Sequence, residues 1–197
     1  MFGPSSHRGI ECIVQPVEQH TRAWLESFVV GLDLCPFAAG LLNAPELRIT
    51  VTGALAADDL RRVFLGELDL LVTAPEEEVA TILLVFGNAL ARFEDYLDFL
   101  DEAQALVVAA GLEDLVQLAS FHPQYQFEGE ALDSPTNYSN RSPYPVLHLL
   151  RENMLTRVLE EFPEPEKIPE RNIRTLEGLG LAKVQQRWRA LFIRPQH

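Results

Sequence analysis

Apolar residues recur at helical spacing over residues 17–32, where Trp24, Leu25, Phe28, Val29 and Leu32 share one face and predict a helix. LRITVT at residues 47–52 is a short β-branched strand. Residues 54–71 return to the helical period, with a stripe of Leu60, Val63, Phe64 and Leu68. ATILLVF at residues 80–86 is then apolar without interruption and ends at Gly87-Asn88, the pattern of a strand covered on both faces. The longest helix is predicted over residues 91–110, with Phe93, Leu97, Leu100 and Val107 inward and Gly111 closing it. Residues 115–121 make a third strand. Pro145 suits the first turn of a helix running to about Glu161. Beyond the proline-rich stretch FPEPEKIP at residues 162–169, two short helices are predicted over residues 170–179 and 181–192.

Strand–helix–strand–helix–strand order favours parallel strands joined by crossover helices. The fold class expected is α/β: a small three- to four-stranded, mainly parallel sheet flanked by helices, with a helical C-terminal extension. An antiparallel α+β arrangement is the alternative, because three short strands underdetermine a sheet. Residues 1–16, with Gly, Pro and Ser, read as a flexible lead-in. Residues 17–161 read as the α/β domain carrying the site, and 162–197 as a linker and helices packed on that domain or on a partner. Parallel strands gather their C-terminal ends at one edge, where open α/β sheets usually hold ligands. His122 is the first residue past the third such end, so the site is expected there.

Composition narrows the class. At 197 residues, 47% apolar and 23% charged, the chain has the makeup of one soluble globular domain. No apolar stretch reaches the length of a membrane span, and the N-terminus has no basic start followed by an apolar run. Two cysteines, Cys12 and Cys35, do not make a disulfide framework, so a cytoplasmic setting is expected. The net charge of -13 is uneven: residues 58–114 carry -11 and residues 166–197 carry +4. Phosphate would be repelled by that acidic body, which argues against nucleic acid as a partner. In the tail, Val184, Trp188 and Leu191 make an apolar seam that must be covered by this chain, another protein or a second copy.

Chemically capable side chains concentrate in residues 120–152, SFHPQYQFEGEALDSPTNYSNRSPYPVLHLLRE. His122 precedes Pro123, which pushes its backbone toward extended geometry and aims the ring out of the strand end. His148 falls in the first turn of the helix predicted from Pro145, where the helix dipole disfavours imidazolium and leaves a neutral base or metal ligand. Arg141 and Arg151 are cationic forks suited to a small anionic ligand, with Asn137, Asn140 and Tyr125 available to orient it. His122, His148 and Asp133 form a candidate metal set for a divalent ion such as zinc, although their spacing matches no tight ligand motif. Cys35 precedes Pro36, which opens a short helix whose backbone N–H groups would favour a thiolate; beside a histidine it would be a nucleophile. Each residue also has a plain reading: histidines and asparagines that hold loops, and a cysteine that is a small apolar wall residue. No glycine-rich phosphate loop, serine elbow or kinase motif is present. The sequence thus offers an enzyme-like pocket, hydrolase or transferase in kind, without fixing whether the chain is an enzyme. The rival is a non-catalytic binding or assembly protein, a homo-oligomer included, that uses the C-terminal helices.

Three of these stretches carry a resemblance. GLDLCPFA (residues 31–38), QLASFHPQYQF (117–127) and TNYSNRSPYPVLHLLRE (136–152) resemble an uncharacterised bacterial family known as domain of unknown function number 1415. The likeness extends over most of residues 17–160. It implies that Cys35, His122, Tyr125, Asn137, Asn140, Arg141, His148 and Arg151 fall in the family's signature stretches, and it brings no activity with it. LLVFG at residues 83–87 departs from that likeness, which leads one to expect a proline-bearing strand end there.

Overall fold

A computed structural model of the chain describes residues 7–193. Helix α1 (His7–Trp24) begins within the segment expected as a lead-in, while residues 1–6 lie outside the described residues. Pro16 lies inside this helix, where it removes one backbone hydrogen bond. Burial of Val17, Thr21 and Trp24 along one face outweighs that loss. The chain then widens into a π-helical turn over Leu25–Val30, in which the Gly31 N–H donates to the Glu26 carbonyl five residues back (2.9 Å). The turn crowds Gly31 so closely that an added Cβ would stand 2.6 Å from the Ser27 carbonyl oxygen.

Short helix α2 (Ala38–Leu41) leads to β1 (Leu47–Thr52), α3 (Ala57–Thr73), β2 (Thr81–Phe86), α4 (Phe93–Ala109) and β3 (Val116–Phe121). The helix predicted from Pro145 is corrected: residues Val146–Arg151 form strand β4, and helix α5 begins only at Glu152 and runs to Glu161. VLHLLR enters the sheet between β2 and β3, paired along both edges, and its nearly unbroken apolar run lacks the alternation that distinguishes a half-buried strand. Sheet order is β1-β2-β4-β3, with β1 and β2 parallel and β4 antiparallel to both neighbours. The sheet is therefore mixed: β1, β2 and β3 run one way, as their order predicted, and β4 runs against them.

Helices α3 and α4 cover one face, where Phe64, Phe99, Leu147 and Leu149 form the core. The opposite face carries α1, its π turn and the two tail helices, α6 (Ile168–Leu179) and α7 (Leu181–Ala190). Trp24, Phe28, Leu83, Val85, Leu176 and Val184 pack there. β2 is buried at every position because its alternate residues serve these two cores. The Trp188 ring packs within its own chain, 5.7 Å from Phe28 and 5.5 Å from Tyr138, centroid to centroid. Among the described residues, no helix is long and apolar enough to cross a membrane.

Candidate functional site

The polar loop after β3 turns its side chains on itself. His122 is fully buried; the Gln124 N–H donates to its Nδ1 (3.0 Å), which leaves Nε2–H to donate to the Leu90 carbonyl (3.0 Å). Burial between the Phe93 and Tyr96 rings pushes its pKa below the ordinary histidine value. Buried Asn137 accepts from the Phe127 N–H (3.0 Å) and donates to the Ala131 carbonyl (2.8 Å). Asn140 Nδ2 donates to the Ser120 carbonyl (3.2 Å). The Arg141 fork donates to the carbonyls of Tyr125 and Leu132 and lies over the Tyr138 ring. Tyr125 packs against Phe93 and Phe127. Arg151 donates to the carbonyls of Val79 and Ala74, stapling the end of β4 to the loop before β2. These groups that suit a ligand are engaged by backbone, as a long irregular segment requires of its buried polar atoms.

The hollow expected to gather both histidines and both arginines is not formed. His122 lies on the α4 side of the sheet, while His148 points to the other side, opposite Leu147 and Leu149 on β4. A residue inside a strand, unlike one on a helix end, takes its face from the pleat, and β4 turns His148 away from His122. Asp133 is exposed on the loop. Among the described residues no three His, Cys, Asp or Glu side chains come together as a metal set, so the His122–His148–Asp133 grouping is not assembled.

His148 opens instead into a cavity of about 890 Å³ on the face carrying α1. Its floor includes Leu83, Ala119, Phe121, His148 and Leu150 of the sheet. One wall comes from Trp24, Leu25 and Val29 of α1 and the π turn, another from residues 35–44, and the last from Met154, Leu155 and Val158 of α5. Glu46, Leu47, Ala80 and Thr81 place the cavity toward the starting ends of β1 and β2, not at the C-terminal edge where the site was expected. Antiparallel β4 makes this possible, because it delivers its own C-terminal half there. Glu76 and Arg157 pair with each other across part of the wall, both partly exposed.

Inside, polar atoms are few. His148 Nε2 lies 2.7 Å from the Thr81 hydroxyl, which lies 2.8 Å from the Leu149 carbonyl. Burial pushes the His148 pKa down to about 4, so the ring is neutral at physiological pH. Its Nδ1 has no partner among the described residues. Cys35 also lines this cavity. Burial pushes the thiol above its ordinary pKa, outweighing the Phe37 and Ala38 N–H groups that favour thiolate. No hydrogen bond joins Cys35 to His148. Both shifts hold the proton on the thiol and off the imidazole, so the pair rests neutral.

Sequence reasoning missed Thr81 and the α5 wall. Thr81 is the only hydroxyl in an otherwise apolar, doubly covered strand, and such a group must find a buried partner. That requirement was the available signal. The α5 wall had no signal apart from an apolar stripe, Met154, Leu155 and Val158, indistinguishable from ordinary core.

No match is found among the curated proteins or among the solved structures. A family model does match, under the description "Protein of unknown function (DUF1415)", and it spans residues 16–186. That span takes in the π turn, the Cys35 segment, all four strands and α5, so the elements that build the cavity are elements of the family, and the chain belongs to it.

Proposed function

We propose that this protein binds a largely apolar small molecule in the sheet-face cavity, with the polar end of that molecule near His148 and Thr81. The observation that carries the reading is a cavity of about 890 Å³, within the range of small-molecule sites, whose interior is apolar except for a few convergent polar atoms. An anionic ligand is less well served than the sequence suggested. Arg141 and Arg151 hold backbone carbonyls, and the cation on the cavity wall, Arg157, is paired with Glu76. Binding also accounts for the site better than nucleophilic catalysis does, because thiol and imidazole both rest neutral and no hydrogen bond links them.

Titration of the full chain with Nile red, a neutral dye that brightens in apolar surroundings, tests this. Saturable binding of one dye per chain is expected. Ala119→Phe, which fills the floor, should abolish it while leaving the circular dichroism spectrum unchanged. Cys35 gives a second readout in a Cys12→Ser background: occupancy should protect its thiol from an apolar maleimide. Absence of binding, or binding and labelling indifferent to Ala119→Phe and to occupancy, would remove the proposal.

A further inference from the structure

The hydrogen-bond grammar around His148 restricts what can occupy the cavity. Thr81 has one hydroxyl hydrogen and two neighbours, the Leu149 carbonyl at 2.8 Å and His148 Nε2 at 2.7 Å. A carbonyl oxygen only accepts, so the hydroxyl hydrogen belongs to Leu149. Directing it at the ring instead would leave two oxygens facing each other at 2.8 Å with no hydrogen between them. Thr81 must then accept from the ring, and Nε2 carries the imidazole proton. The other nitrogen, Nδ1, is left as a bare lone pair without a partner among the described residues, on a ring that lines the cavity.

We infer that the cavity selects apolar molecules bearing a hydrogen-bond donor, a hydroxyl or N–H that meets His148 Nδ1, over isosteres offering only an acceptor. This rests on the pocket reading above and refines it. Thr81 is a positioning residue in this scheme: it lines the cavity, but its hydroxyl is taken up by Leu149 and the ring, and its part is to set the tautomer. An ether or ester oxygen at the same place would oppose lone pair to lone pair in apolar surroundings, where an unmet polar atom is costly. A carboxylate would fare worse, because a neutral imidazole acceptor offers it no proton. Loss of Thr81 frees the ring to place its proton on Nδ1, which would turn the selection toward acceptors.

Displacement of Nile red by naphthol and by methoxynaphthalene, nearly isosteric and differing in the donor, reads this selectivity at neutral pH. The preference for naphthol in the native protein should exceed that in His148→Phe by roughly three- to tenfold. In Thr81→Val the preference should shrink or reverse. Nitrogen NMR of native protein carrying labelled histidine gives a check that needs no variant: His148 should show an unprotonated Nδ1 and a protonated Nε2. An equal ratio in native and His148→Phe protein, or a protonated Nδ1 in the native chain, overturns the inference while the pocket stands. Failure of Nile red to bind at all overturns both.

Discussion

His148 and His122 show how one residue type can be read correctly in chemistry and wrongly in place. Both are neutral, as a functional imidazole or a structural one would be, and the difference lies in what each nitrogen meets. His122 has both ring nitrogens engaged by Leu90 and Gln124, whereas His148, which lines the cavity, has a partner for Nε2 alone among the described residues. The neutral state of His148 has a measurable sign. Its folded pKa, about 4, lies below the ordinary 6.5, so as pH falls the unfolded chain takes up the proton first. The associated stability is fully present above pH 6.5 and is lost as pH drops toward 4, by roughly 3 kcal/mol. Urea unfolding across that window should show this loss in native protein, and His148→Phe should lose less by about that amount; equal pH dependence would contradict it. Asn137 supplies the contrasting case. Asn137→Ala leaves the Phe127 N–H without its partner and takes one of two donors from the Ala131 carbonyl, which keeps the Ser134 N–H, and should lower stability by roughly 2 kcal/mol without changing Nile red affinity. Altered dye binding in a folded Asn137→Ala protein would instead return the polar loop to the site.

At the scale of elements, periodicity carried far where one face of an element met water and was a weaker guide where apolar residues ran on without alternation. The boundaries of β1 and the extents of α3, α4, α6 and α7 follow the pattern within a few residues. β2 was legible although doubly covered, because Gly87-Asn88 ends a short run rich in β-branched residues. β4 was not, since Pro145 sits at its entry as it would at a helix start and the true helix follows without a break at Glu152. That one element moved His148 from a helix end to a strand, and with it the site from the sheet edge to the sheet face. The π turn was equally hidden: its residues keep near-helical spacing, and only Gly31 marks the crowding. Gly31→Ala forces Cβ against the Ser27 carbonyl and should cost about 1–3 kcal/mol. Because Leu25 and Val29 of that turn line the cavity, Nile red affinity should fall with it. A thermal melt unchanged by this substitution would show that the turn has room the structure does not give it.

Across the whole molecule, the two sheet faces have different tasks. One is closed by α3 and α4 into a continuous core, and the acidic residues of those helices lie mostly outward. The other is only partly filled: α1, α6 and α7 seal one end around Trp24, Phe28 and Trp188, and the cavity occupies the end bounded by α2 and α5. The tail helices, whose apolar seam raised the prospect of a partner, use Val184 and Trp188 to close their own domain. A face left open in this way is where a ligand can add packing that the chain does not supply for itself. Chemical-shift mapping of the labelled protein during titration with naphthol tests that claim most directly. Perturbations should cluster on Trp24, Leu83, Ala119, His148 and Met154 and spare residues 122–141. Shifts centred on that polar loop, or none anywhere at saturating naphthol, would contradict the account.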